Sequence, residues 1–157
     1  MVIGIGIDII EIDRIRDSVE KFGDRFLNKI YTQKELDYCL KKKYKYQHLA
    51  ARFAAKEAVY KALATGWDAD VSWQNIEISN EPNGMPIVTL QGKLKKFLQK
   101  GKDLKISMSH SRDYVACMAI IYKSDNEKWD PADYFSSTIR LSLVIAKKSS
   151  IFYICKN

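Results

Sequence analysis

Cysteine, histidine, proline and glycine are all scarce in this 157-residue chain, with three Cys, two His, three Pro and seven Gly. Cys39, Cys117 and Cys155 form no CxxC pair and are odd in number, which argues against a disulfide framework or a cysteine zinc site. Reduced thiols are expected, with Cys117 a small core residue inside an apolar run. Long apolar runs are missing as well. None reaches the ~18 residues of a membrane span, and the best candidate, Ile139 to Ile154, is broken by Lys147 and Lys148. The N-terminus has no basic leader region, and Asp8, Glu11 and Asp13 interrupt its apolar run, so no signal peptide is expected. These absences point to a cytoplasmic protein that does not enter a membrane.

What is present suits one soluble domain: 46% hydrophobic and 29% charged residues. The net charge of +7 makes the protein basic. Such a balance fits an anionic partner, whether nucleic acid, membrane surface, polyphosphate or acidic protein, and charge alone does not choose among them.

Along the chain, Met1 to Ile12 reads as a buried strand. Gly4, Gly6 and Asp8 fall on one face and Ile3, Ile5 and Ile7 on the other, the glycines implying close approach of another backbone. Ile12, Ile15, Val19 and Phe22 recur at helical spacing and predict a short helix ending near Gly23. Thr32 and Glu35 have capping-box spacing and open a helix to about Leu40, followed by a basic loop from Lys41 to Tyr46. Gln47 to Thr65 is an alanine-rich helix without proline or internal glycine, with Gly66 placed to cap it. Ile76 to Ile78 and Pro86 to Leu90 read as strands around a Pro82-Asn83-Gly84 turn. A short helix at Leu94 to Leu98 and strands at Lys105 to Ser109 and Tyr114 to Tyr122 follow. The mixed order without a βαβ repeat predicts an α+β fold. After Lys123 the texture changes to a polar linker, Ser124 to Ser137, and then to two apolar stretches, Ile139 to Ala146 and Ile151 to Cys155, that read either as a hairpin or as a poorly packed tail, so the chain divides into 1–123 and a 124–157 extension.

Two carboxylates stand out. Asp8 lies in an apolar strand and requires a cation, a metal or several donors, a salt bridge to arginine being the simplest. Glu57 sits mid-helix, where Lys61 at i+4 is an ordinary partner. Arg52, Lys56 and Lys61 lie on overlapping faces and are expected to surround Glu57 with cations. Two carboxylates from different elements with lysines nearby suit magnesium gripping a diphosphate. His110 falls where one strand turns into the next, a position that often contacts ligands, whereas His48 reads as helix surface. The Lys41 to Tyr46 stretch is a solvated loop, a phosphate clamp or an RNA patch. No nucleic-acid-binding signature accompanies it, and GIGID lacks the third glycine of a dinucleotide fingerprint.

Taken together, GIGIDIIEIDRI from Gly4, TQKEL from Thr32, ARFAAKEAVYKAL from Ala51, WQNIEISNEPNGMP from Trp73 and ISMSHSRDYVACMAII from Ile106 resemble the holo-acyl-carrier-protein synthase family, in order and spacing over nearly all of residues 1–123. The resemblance implies the phosphopantetheinyl transferase fold, one half-domain with a long alanine-rich helix on a mainly antiparallel sheet. It implies transfer of the 4′-phosphopantetheine arm of coenzyme A to a serine of acyl carrier protein, with release of 3′,5′-ADP. Asp8 and Glu57 match the family's magnesium ligands, and Lys61 a lysine at the diphosphate. Arg52 and His110, helped by Lys43 and Lys45, match groups at the nucleotide end. Gly84 and Pro86 match a turn lining the adenine pocket, and Arg14, Lys21, Phe22 and Arg25 a docking helix for the acidic carrier. The serine proton goes to Glu57 or to a water on the metal. Larger transferases join two similar halves, so a chain of this length is expected to complete its sites as a homotrimer.

Two departures accompany the resemblance. Tyr44 stands where the family pattern calls for a cation, and the 34 residues after Lys123 have no counterpart in it. Rival readings are a basic nucleic-acid-binding module, which leaves Asp8 and Glu57 without purpose, and a metal-dependent phosphohydrolase using water as acceptor.

Overall fold

A computed structural model describes residues 1–64 and 71–123. Strand β1 (Val2–Glu11) leads into helix α1 (Ile12–Ile30), α2 (Gln33–Cys39) and the long α3 (Lys45–Leu63). A 3-10 turn at Trp73–Asn75 precedes β2 (Ile76–Asn80) and β3 (Pro86–Leu90), and a second at Gly92–Leu98 precedes β4 (Lys102–His110) and β5 (Tyr114–Lys123). The strands form a three-stranded sheet ordered β1-β5-β4 and a two-stranded β2-β3 sheet, and every pairing is antiparallel. The expected α+β class and antiparallel sheet are observed.

Helix α3 forms the centre of the fold. Every residue from Arg52 to Tyr60 is buried, so no face is left for solvent and the helix shows no amphipathic stripe. It lies across β1 and β5, with α1 and α2 against its other sides. Its contact with β1 depends on missing side chains. A Cβ added at Gly4 would collide with the carbonyl oxygen of Ala62, and one at Gly6 with that of Ala58. The strand's small-residue face is thereby pressed onto the helix backbone. The opposite face differs from the expected buried strand: Ile5, Ile7 and Ile9 are 47%, 59% and 64% exposed.

A buried ion pair ties the helices together. Glu35 completes the expected capping box with Thr32, and its carboxylate also meets Lys56 Nζ at 2.8 Å, both side chains being fully buried. Lys56 donates further to Ile30 O at 2.9 Å and Trp73 O at 3.1 Å, while Glu35 accepts from Ile78 N at 2.9 Å. Desolvation pushes the Lys56 ammonium below its ordinary pKa, against the attraction of Glu35.

Three local expectations are corrected. The first helix does not stop at Gly23 but kinks there, with φ +52°, and resumes to Ile30. Helix α3 begins at Lys45, inside the expected loop, and its left-handed cap is Ala64 at φ +50°. The Leu94 to Leu98 helix is a 3-10 segment beginning at Gly92. Gly66, Cys155, the Ser124 to Ser137 linker and the 139–155 hairpin lie outside the described residues. No helix among the described residues is long and apolar enough to cross a membrane.

Candidate active site

The site starts from the glycine contact. Because Gly6 sits against the Ala58 to Ala62 turn of α3, the next residue on the same strand face, Asp8, is brought to the helix surface. There Lys61 Nζ donates to Asp8 Oδ1 at 2.8 Å and to Ile7 O at 3.0 Å, each side chain being 13% exposed. Asp8 therefore has a lysine partner, where arginine was the simplest expectation. Burial raises its carboxyl above the usual carboxylate pKa; the hydrogen bond and charge of Lys61, and then the charge of Arg14, oppose the rise.

Glu57 lies one helical turn before Lys61 and is 5% exposed. The expected ring of cations around it is redistributed. Lys61 pairs with Asp8 and Lys56 with Glu35, while Arg52 donates to Asn80 Oδ1 and lies 4.4 Å over the Tyr38 ring. Helix spacing shows which faces these side chains share but not which tertiary partner each meets. Among the described residues, no three His, Cys, Asp or Glu side chains converge. The two candidate carboxylates are Asp8 on β1, bonded to Lys61, and Glu57, one turn before Lys61 on α3. That chemistry fits magnesium, which takes one or two protein carboxylates and fills its remaining positions with water and substrate phosphate oxygens.

His110 ends β4, exposed at the sheet rim. Gln47 Nε2 lies 2.8 Å from its Nδ1. With the amide donating, Nδ1 accepts and the ring proton belongs on Nε2. His48 is half-buried rather than simply helix surface, its ring edge-on to Tyr38 with centroids 5.7 Å apart. Burial, followed by repulsion from Arg52, Lys42 and His110, pushes its pKa below the ordinary imidazole value.

Beside His110 opens a cleft of about 430 Å³ whose lining includes Arg16, Lys43, Lys45, Gln47, Ser111 and Arg112, with no acidic residue in its wall. Lys43 and Lys45 thus share a cationic pocket, and Arg16 and Arg112 join them, two contributors that sequence spacing did not reveal. Gly84 and Pro86 stand at the β2–β3 connection, where Gly84 has φ +89° and Pro86 opens β3 opposite Asn80. On α1, Lys21 and Arg25 are exposed, Arg14 and Phe22 are half-buried, and the Lys21 ammonium lies 5.3 Å from the Phe22 ring centre.

Known proteins resemble this chain in sequence and fold. The family model described as the 4′-phosphopantetheinyl transferase superfamily matches residues 4–119. A holo-[acyl-carrier-protein] synthase of Protochlamydia amoebophila is 48% identical over 120 residues, covering 76% of this chain and 98% of that protein. The crystal structure of the corresponding synthase from Neisseria meningitidis superposes with a TM-score of 0.71 at 37% identity, covering 78% of this chain and all of that one. The Helicobacter pylori synthase, solved in complex with coenzyme A, gives 0.66 at 33% identity, over 75% of this chain and 99% of that chain.

Proposed function

The chain belongs to the 4′-phosphopantetheinyl transferase superfamily, and from that membership we propose that it transfers the 4′-phosphopantetheine arm of coenzyme A to a serine of apo-acyl carrier protein, with magnesium as cofactor. The observation that carries the reading is the meeting of Asp8 and Lys61 where the β1 glycines press on α3, one turn from Glu57.

In this reading the serine oxygen attacks the pantetheine-side phosphorus. A new oxygen–phosphorus bond forms, the bond to the nucleotide phosphate breaks, and 3′,5′-ADP leaves with the electron pair. Glu57 accepts the serine proton. Lys61, held in place by Asp8 and Ile7 O, presents its ammonium to the diphosphate oxygens, where charge accumulates. Bound between Asp8 and Glu57, magnesium would supply further neutralisation of that charge. The cationic cleft around Lys43 and Lys45, next to His110, receives the nucleotide end. Arg14, Lys21, Phe22 and Arg25 face the acidic carrier. The proximity of Arg14 to Asp8, felt in the Asp8 carboxyl, supports a carrier that docks beside the reacting phosphate.

Self-association belongs to the same proposal. Ile7 pairs with Met118 in the sheet, and these two, with Ile5 and Ile9, form an exposed apolar face. A soluble protein does not leave such a face to water without cause, and a second copy of this chain is the occupant proposed, in a homotrimer. Residues 1–123 form the transferase unit in this reading, with 124–157 as an extension. A cytoplasmic location belongs to the same reading; among the described residues Cys39 and Cys117 are buried thiols without a disulfide.

Mass spectrometry of apo-acyl carrier protein after incubation with the protein, coenzyme A and magnesium tests the activity. The expected result is a gain of one phosphopantetheine on the serine. Cleavage of coenzyme A without transfer to the carrier would favour a hydrolase and overturn the reading.

A further inference from the structure

Asn80, the last residue of β2, connects two parts of the site that are far apart in sequence. Its Oδ1 accepts Nη2–H of Arg52 at 2.5 Å, and its Nδ2 donates to Gly84 O at 3.0 Å. A guanidinium only donates and a peptide carbonyl only accepts, so one amide orientation satisfies both and the flipped one satisfies neither.

The two ends of this relay differ in exposure. Arg52 is 3% exposed on the interior helix α3, and its guanidinium is stacked on the Tyr38 ring at 4.4 Å. Gly84 is exposed and sits in the left-handed region, at φ +89°. The turn's own hydrogen bonds, Glu81 N to Met85 O at 2.8 Å, Gly84 N to Glu81 O at 2.9 Å and Met85 N to Asn83 Oδ1 at 2.9 Å, close the tip on itself. The Asn80 side chain hydrogen-bonds that tip to α3. Arg52 is held against the turn through Nη2 and stacked on Tyr38, while its Nε is buried without a hydrogen-bond partner among the described residues.

We infer that Asn80 is a positioning residue, which through Arg52 sets the height of the Gly84–Pro86 turn against α3 and thereby the affinity for the nucleotide half of coenzyme A. This rests on the reading of that turn as the adenine wall. It assigns Asn80 no contact with the reacting phosphate, so binding should suffer and chemistry should not.

The test uses the full chain with Asn80→Asp and Asn80→Ala. Aspartate keeps an oxygen for Arg52 but replaces the donor facing Gly84 O with an acceptor; alanine removes both bonds. Asn80→Asp is expected to raise KM for coenzyme A about tenfold, the effect of one hydrogen bond, with kcat at saturation unchanged. Titration with 3′,5′-ADP should show the same loss, and titration with 4′-phosphopantetheine none. Asn80→Ala should behave likewise, which covers a failure of the aspartate variant to fold. Wild-type affinity for 3′,5′-ADP in both variants, or a fall in kcat at unchanged KM, would overturn the relay while leaving the transferase reading intact. A wild-type protein that binds neither coenzyme A nor 3′,5′-ADP would overturn both.

Discussion

Replacing Lys56 with methionine tests whether the Glu35–Lys56 pair locks the helices around α3. The substitution keeps side-chain length and removes the charge together with three hydrogen bonds, to Glu35 Oε2 at 2.8 Å and to the Ile30 and Trp73 carbonyls at 2.9 and 3.1 Å. Glu35 would keep the Thr32 and Ile78 N–H groups but lose its counter-charge at a place water does not reach. Breaking a buried pair from one side costs about 3–5 kcal/mol, because the surviving charge is stranded. For a chain of this size each kcal/mol moves Tm by about 2–4 °C, so a drop of roughly 6–20 °C is expected. Urea unfolding followed by circular dichroism reads the free energy, and a thermal scan reads Tm. The double variant Glu35→Gln, Lys56→Met removes the stranded charge while Gln keeps an acceptor oxygen, so it should recover at least half of the loss. A single-variant loss below about 1 kcal/mol, or a double variant no better than the single, would refute the account.

Gly6→Ala should cost about 1–3 kcal/mol by overpacking, since the new methyl meets the α3 backbone at Ala58, and should depress transfer even where folded, because the Asp8–Lys61 contact depends on that approach; wild-type urea midpoint and rate would sink this. In a Cys155→Ser background the native protein should resist thiol labelling at neutral pH, because burial pushes Cys39 up to about 11 and Cys117 up to about 12. A free thiol titrates near ~8.5, so the stability tied to both thiols is full below that pH and drains away as pH climbs toward the folded values. Rapid labelling of the folded chain would contradict this. Ile7→Lys adds charge at a position 59% exposed in the single chain, so monomer stability should hold while self-association and transfer are lost; sedimentation at wild-type mass with full activity would remove the case for assembly through this face.

Sequence patterns revealed features set by neighbours along the chain. The Thr32–Glu35 cap, the β2–β3 turn and the paired glycines of β1 were all legible because each is decided within a few residues. Partnerships across the fold were not. Glu35 looks like a capping residue, and nothing nearby announces that its carboxylate also neutralises Lys56, 21 positions on. Gly23 has the composition of a stop signal, yet burial of Phe26, Leu27 and Ile30 makes a resumed helix worthwhile after the kink. Asp8 and Glu57 were recognisable as candidates, but the assignment of Lys61 to Asp8 depended on where the glycines let the strand settle. Asn80 carried no signal at all, because its role depends on an arginine 28 residues earlier.

The continuity of α3 has a bearing on ligand choice. Arg52 and Lys61 stand nine residues apart on one continuous helix, which at about 1.5 Å per residue separates them by roughly 14 Å along its axis. One end governs the turn proposed for the base, and the other holds the ammonium proposed for the diphosphate. Since neither end can shift without the other, the helix acts as a fixed gauge. A molecule whose base and diphosphate lie at a different spacing could satisfy one end or the other but not both together.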